Sequence, residues 1–316
     1  MDRVSYHIEL RGLKSSPGTI DVIALRDVLD ALIDAAGKAL RLTVEGTSTR
    51  RGQKPAWMED SVRFVVTGMQ EGSTILPIEV PQLAETAALV VQQQDMWLSK
   101  PELEDTSLTV LARAVEDVKT ADRDSERYDR GVLDAIAKFG RVVHNGEAVT
   151  IRNTETGAST FDIQQEHIQH AKQLKRDTPD PQAVVLSGTL SMIRDKPRTF
   201  QLRTKEGQNV RGNVEGGTVE AERLRDLWRK KVTVRGMAHF TPAGTLRFIE
   251  ANVIRPFGER DQLFERTKQE IEREAKRQRP LSTRHLQAMN AGPGVQKIRG
   301  TWPGDESIDD ILDALD

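Results

Sequence analysis

Apolar and polar side chains alternate at three places in the first 81 residues, and a helical stripe lies between them. Every second residue is apolar in Val4–Leu10, Val62–Val66 and Thr74–Val80, which predicts three half-buried strands. Apolar residues from Leu25 to Leu40 instead recur at three- and four-residue spacing, as on one face of a helix. We therefore predict an α+β unit in residues 1–81, a sheet with one long helix packed across it.

Residues 82–178 carry mainly helical periodicity, interrupted by two short β-like stretches. Helices are predicted at 83–94, 106–119, 126–140 and 165–175, and strands at 148–152 and 158–163. The sequence Asp177-Thr178-Pro179-Asp180-Pro181 marks a boundary. The pattern leaves open whether this mixed, mainly helical region folds together with residues 1–81.

Residues 183–256 contain five strand patterns with turn residues between them. The strands are predicted at 184–190, 200–204, 209–214, 231–240 and 245–253, with a short helix at 219–228. Five strands at spacings of about ten residues, with a helix between the third and the fourth, resemble an OB-fold barrel. The resemblance implies a fold and leaves the ligand open.

Two polar segments follow the barrel. Residues 257–280 interleave opposite charges, which favours a solvated helical linker, and residues 281–316 form a tail that begins with flexible Gly/Pro-rich sequence. Near its end an apolar stripe lies opposite a row of aspartates and predicts a short amphipathic helix; the stripe consists of Ile308, Ile311, Leu312 and Leu315. A helix of about nine residues does not persist alone in water, so the stripe requires a groove, in a partner or in this chain. The fold class predicted for the whole chain is thus α+β and multidomain.

The run Ile298–Ile308, with Trp302 beside Pro303 and Gly304, resembles the C-terminal segments of antitoxins paired with PIN-domain ribonuclease toxins. The resemblance covers about 20 residues, and the small DNA-binding domain that begins such antitoxins is not found here. It implies that Lys297 and Arg299 reach the toxin's metal-binding carboxylates. It also implies that the tail is anchored on the toxin by Trp302, Ile308, Ile311, Leu312 and Leu315.

Composition narrows the classes of protein that remain. The 316 residues are 37% hydrophobic and 30% charged, carry a net charge of −2 and include no cysteine. The absence of cysteine excludes a disulfide framework, thiolate zinc sites and cysteine nucleophiles. No apolar run is long enough for a membrane span or a signal peptide, so we expect a cytoplasmic protein without a membrane partner.

Charge is unevenly distributed along the chain. Residues 183–256 hold 14 Lys and Arg against 7 Asp and Glu, a local balance of +7. Single-stranded nucleic acid and an acidic protein surface both fit that charge. Candidate nucleic-acid contacts are Arg194, Lys196, Arg198, Lys230, Lys231 and Phe240, with Phe240 expected to be exposed as a stacking platform. We expect Phe200 and Phe248 to pack in the core.

Catalytic patterns are weak. His167 and His170 lie three residues apart in a predicted helix, where they could share a metal, but no third ligand is identifiable and a solvated helix is favoured. No phosphate-binding loop, nucleophile elbow or HExxH motif occurs. We therefore expect no enzyme, no cofactor and no metal.

The sequence favours a non-enzymatic antitoxin or inhibitor whose tail docks on and neutralises a nuclease toxin encoded nearby. Two alternatives remain. One is a nucleic-acid-binding OB-fold protein, and the other is an assembly or adaptor subunit.

Overall fold

A computed structural model describes residues 3–12, 19–50, 52–68, 74–92, 101–156, 159–194, 199–214, 221–258 and 261. They form a mixed α+β structure with an antiparallel five-stranded sheet and a closed five-strand barrel. The strands are β1 (Arg3–Arg11), β2 (Val65–Val66), β3 (Thr74–Pro81), β4 (Ala148–Asn153), β5 (Ser159–Gln164), β6 (Gln182–Arg194), β7 (Thr199–Arg203), β8 (Asn209–Val214), β9 (Lys231–Phe240) and β10 (Leu246–Pro256). The helices are α1 (Val22–Glu45), α2 (Ala56–Ser61), α3 (Leu83–Thr86), α4 (Ala88–Gln92), α5 (Ser107–Lys119), α6 (Arg130–Ala137), α7 (Gln165–Asp177) and α8 (Ala221–Asp226).

The sheet joins the two halves of the first 178 residues. Its strand order is β2-β3-β1-β4-β5, with β1 in the centre. Tyr6 of β1 is paired with Ile78 of β3 on one side and with Asn153 of β4 on the other. Because β4 completes the sheet begun by β1 and β3, residues 82–178 fold together with residues 1–81, a point that the sequence leaves open.

One face of this sheet is apolar and is covered by helices. Along β1 the alternation from Val4 to Leu10 puts the apolar residues on the buried face, as predicted. The long helix α1 buries most of its predicted stripe, including Leu32 and Leu40, in the same hydrophobic cluster as Leu111 of α5, whereas Ile33 is exposed. Asp21 caps the start of α1, and Gly46 ends it in the left-handed conformation with φ of +82°.

The barrel closes in the strand order β10-β8-β7-β6-β9, with β9 pairing back to β10. All neighbours are antiparallel except β8 and β10, and α8 lies in the connection between β8 and β9. This five-strand barrel fits the OB-like fold expected from the sequence. Its interior is filled by a separate cluster of apolar side chains that includes Leu190, Leu202 and Val234.

Three predicted elements differ from the structure. In the described part of the helix predicted over 83–94, the chain forms two short helices, α3 and α4, separated at Ala87. Residues Ala56–Ser61 form a helix, and only Val65–Val66 of the predicted strand 62–66 pairs with β3. Alternation over so short a stretch also fits a helix end, since Trp57, Val62 and Phe64 all pack on the same core. The helix predicted over 126–140 begins only at Arg130, because the side chain of Asp129 accepts hydrogen bonds from the first free backbone N–H groups.

Candidate functional site

A sharp turn after α8 directs Trp228 away from the barrel core. Arg229 has a φ of +59°, which is uncommon for a residue other than glycine. Two backbone hydrogen bonds hold it there, from Arg229 N to Leu190 O (2.9 Å) and from Leu190 N to Lys230 O (3.0 Å). A strained conformation persists only where the surrounding structure enforces it, and such positions cluster at functional sites.

The residue Trp228 is 50% exposed, whereas its neighbours Leu224 and Leu227 are buried in the barrel core. Its Nε1–H donates to the carbonyl oxygen of Ser191 at 3.4 Å. The guanidinium of Arg229 lies 4.6 Å from the centre of the ring, a cation–π distance. A large aromatic ring is therefore fixed in place and still open to a ligand.

Trp228 forms one wall of a cleft of about 400 Å³. The other lining side chains come from α8 and from the end of β6; they are Ser191, Met192, Ile193, Arg194, Leu224 and Arg225. The pairing of β6 with β7 shifts register between Leu190 and Met192, so a β-bulge re-aims the side chains at this point of the strand. We call this feature the Trp228 cleft.

Several cations lie in or beside the Trp228 cleft, and Asp226 is an exposed acidic residue of the same helix, α8. Arg194 and Arg225 line it, and Arg229 and Lys230 are exposed beside it. Lys231 follows, with its ammonium group 3.9 Å from the centre of the Phe257 ring. The combination of an exposed indole, apolar walls and several cations suits a ligand that is both acidic and partly apolar.

The structure describes some of the predicted site residues and not the others. Arg194 lines the Trp228 cleft, and Lys230 is exposed two residues after Trp228. Lys196 and Arg198 fall outside the described residues. The same is true of all the predicted tail residues, namely Lys297, Arg299, Trp302, Ile308, Ile311, Leu312 and Leu315.

The predicted exposure of Phe240 is wrong. Only 9% of this residue is exposed, and it belongs to the barrel core with Val232 and Val234. The three residues share the same parity along β9, so they face the same side of the strand. Phe200 and Phe248 are each 3% exposed, as expected. Phe200 packs in the barrel interior, and Phe248 packs against Gly46 outside it.

The surface that OB-folds commonly use is partly covered by the chain itself. That surface comprises the second and third strands and the loop between the fourth and fifth. The loop before β10 contacts residues 123 and 124: Ala243 N donates to Arg123 O (3.0 Å), and Thr245 Oγ1 donates to Asp124 (3.0 Å). Arg211 of β8 is ion-paired with Glu126. The residue that forms one wall of the Trp228 cleft is, in contrast, half exposed.

Of the two histidines that could have shared a metal, His167 takes a structural role. His167 Nδ1 accepts a hydrogen bond from the backbone N–H of Gln164 (3.2 Å) at the start of α7. Burial, only partly offset by nearby Asp162, lowers the pKa of His167 and keeps the ring neutral at pH 7. Across the described ranges, no three His, Asp or Glu side chains are grouped so that they could hold a metal ion.

The Trp228 cleft was missed by sequence reasoning because Trp228 lies at the end of the short helix predicted at 219–228, where an aromatic ring can pack inward on the barrel. The run Trp228-Arg229-Lys230-Lys231 was the available signal.

None of the helices in the described parts of the chain is long and apolar enough to cross a membrane. Comparison with protein-family models, curated proteins and solved structures found no match for this chain.

Proposed function

We propose that this protein binds a protein partner through the barrel and performs no catalysis of its own. The observation that carries the proposal is the half-exposed Trp228, fixed by Ser191 and Arg229 at the wall of a partly apolar cleft. Tryptophan and arginine are the residues most enriched at the energetic centres of protein interfaces, and methionine is also over-represented there. Met192 supplies the last of these in the Trp228 cleft.

The charge of the barrel indicates an acidic partner. Residues 183–256 carry seven more basic than acidic side chains, since 14 Lys and Arg stand against 7 Asp and Glu. Complementary charge accelerates association and excludes partners of the wrong sign. We expect the affinity to fall as salt is raised, because the exposed cations beside the Trp228 cleft are screened.

The tail supplies the class of the partner. Its resemblance to antitoxin segments favours a PIN-type ribonuclease, whose metal-binding carboxylates are acidic. In this proposal Lys297 and Arg299 enter the nuclease site, and the Trp302 side chain and the apolar stripe anchor the segment. The barrel, the linker 257–280 and the tail then act as separate parts of a cytoplasmic antitoxin.

Co-purification with the acidic nuclease encoded by the adjacent reading frame tests this proposal. Full-length chain, a 1–296 truncation and the double variant Arg299→Glu/Trp302→Ala are each co-expressed with the nuclease, and RNA cleavage is measured. Of the three proteins, we expect only the full-length chain to suppress RNA cleavage. Equal suppression by all three proteins, or by none, rejects the antitoxin proposal.

A second candidate function is the binding of single-stranded nucleic acid at the Trp228 cleft. It is favoured by the pairing of an exposed indole with Arg229, since bases stack on aromatic rings and arginine adds a cation–π contact. Fluorescence anisotropy with labelled single-stranded RNA and DNA at two salt concentrations distinguishes the candidates. Tight binding that falls steeply with salt and is lost in Trp228→Ala favours nucleic acid, and its absence favours the protein partner.

A further inference from the structure

A second cleft lies where the barrel meets the α+β part, away from Trp228. It has a volume of about 160 Å³, and four arginines contribute to its lining: Arg113, Arg127, Arg211 and Arg247. Glu126 is the one acidic residue that the described structure places in the same lining. We call it the arginine cleft.

Arg247 is the deepest of the four. It lies at a register shift of β10 between Leu246 and Phe248, and a β-bulge of this kind redirects a side chain. Its residue surface is 9% exposed. Nη1 donates to the carbonyl oxygen of Gly46 at 2.8 Å, and Nη2 lies 3.7 Å from the carboxylate of Asp129.

The Nε–H of Arg247 is buried without a hydrogen-bond partner among the described residues. A buried donor left unpaired is costly, and more so when it carries charge. Burial lowers the pKa of Arg247, and the carboxylates of Asp129 and Glu126 only partly oppose that change. The desolvation of the Arg247 guanidinium is therefore only partly offset by its protein partners, and an anion in the adjoining cleft would stabilise the buried charge.

The other three arginines are held by carboxylates. A guanidinium nitrogen of Arg113 lies 2.9 Å from a carboxylate oxygen of Asp105, and one of Arg127 lies 3.0 Å from an oxygen of Asp117. Arg211 forms an ion pair with Glu126. Because a guanidinium has five N–H donors, one carboxylate partner leaves donors free to bind a ligand. Each carboxylate therefore fixes the orientation of its arginine and leaves most of the N–H donors of that guanidinium available.

We propose that the arginine cleft binds the phosphate group of a small phosphate ester such as a nucleoside monophosphate. A phosphate presents three strong acceptor oxygens and close to two negative charges, so it can engage several guanidinium forks together. Cavities of about 150 Å³ hold a benzene molecule, so the volume admits a phosphate group with part of its ester. Leu42, Val110 and Phe248 supply an apolar wall for that ester.

Isothermal titration calorimetry on the full chain in phosphate-free buffer tests the proposal. The probes are inorganic phosphate, adenosine monophosphate and adenosine. Arg127→Gln and Arg211→Gln remove one partly exposed arginine each, and their folding is checked by circular dichroism. The matched control is Arg63→Gln, which removes an exposed arginine that lines neither cleft.

We expect the nucleotide to bind and adenosine not to bind. Each arginine-cleft variant should weaken nucleotide binding by about tenfold or more, the effect of losing one charge-assisted hydrogen bond, and Arg63→Gln should leave it unchanged. Equal affinity for phosphate and nucleotide identifies free phosphate as the ligand, and tighter nucleotide binding identifies the ester. No binding of either at millimolar concentration, equal binding of adenosine, or an equal loss in Arg63→Gln overturns the proposal.

Discussion

The ring of Phe248 occupies the space beside Gly46 where any other residue would place its Cβ. Gly46 ends α1 in the left-handed conformation, and Phe248 belongs to β10 of the barrel. The same glycine accepts a hydrogen bond from the neighbouring Arg247 through its carbonyl oxygen (2.8 Å). The C-terminal end of α1 thus packs directly against strand β10 of the barrel.

Gly46→Ala should therefore destabilise the protein by roughly 2–4 kcal/mol, because strain at positive φ adds to overlap with Phe248. The free energy of unfolding is measured by urea denaturation. Gly52→Ala is the matched control, since Gly52 has a φ of +105° but no atom near an added Cβ. We expect it to cost about 1 kcal/mol. A loss at Gly46 no larger than at Gly52 contradicts the role assigned to Phe248.

Asp129 connects Ser48, the start of α6 and Arg247 of β10, whose Nη2 lies 3.7 Å from the carboxylate, so substitution of Asp129 should be costly. Its carboxylate accepts from Ser48 N (2.9 Å) and Ser48 Oγ (2.6 Å) and caps α6 through two more backbone N–H groups. We expect Asp129→Ala to lower the free energy of unfolding by roughly 2–4 kcal/mol. Asp21→Ala, which removes only the cap of α1, should cost about 1 kcal/mol. Similar values for the two variants would show that the contacts of Asp129 with Ser48 add nothing.

Stability should depend on pH through Asp261. Hydrogen bonds from the Arg255 guanidinium and from the Gly258 N–H lower the pKa of Asp261 to about 2. An aspartate in an unfolded chain has a pKa of about 3.9, so the folded state favours the charged form. The stabilisation is present in full above about pH 5 and disappears as the pH falls through 4 towards 2.

The matched measurement compares Asp261→Asn with the unchanged chain at several pH values. The variant should be less stable at pH 7, and the difference in urea midpoint should shrink between pH 5 and pH 2.5. A difference that is constant over this range is the result that rejects the assignment.

Trp228 should contribute little to folding. Half of the residue is exposed, so Trp228→Ala removes limited burial and should change the free energy of unfolding by about 1 kcal/mol. The adjacent Leu227 is 7% exposed, and Leu227→Ala should cost roughly 2–5 kcal/mol. Thermal or urea denaturation separates the two cases. A cost at Trp228 equal to that at Leu227 would make the indole a core residue.

Local patterns were sufficient to predict most of the barrel strands. Lys231–Phe240 forms β9 over the predicted range, because alternation along a strand directly reports which side chains face the interior. The same parity could have placed Phe240 inside. The pairing of β4 with β1 could not be predicted, because it joins residues more than 130 positions apart and neither strand specifies its neighbour.

The two clefts were even less accessible from sequence. The Trp228 cleft depends on a positive φ at Arg229, which no residue-type preference indicates. The arginine cleft depends on contacts such as Arg247 with Gly46, across 201 positions of the chain. The composition predicted a basic barrel, but it could not show which cations converge.

The most direct test of the proposed function is a calorimetric titration of the neighbouring nuclease with the full chain and with Trp228→Ala. Hot-spot tryptophans typically contribute more than 2 kcal/mol to binding, so we expect the variant to bind at least about tenfold more weakly while remaining folded. The affinity of the full chain should also fall with added salt. Equal affinity of the two proteins for the nuclease would contradict the assignment of the Trp228 cleft as the protein-binding site.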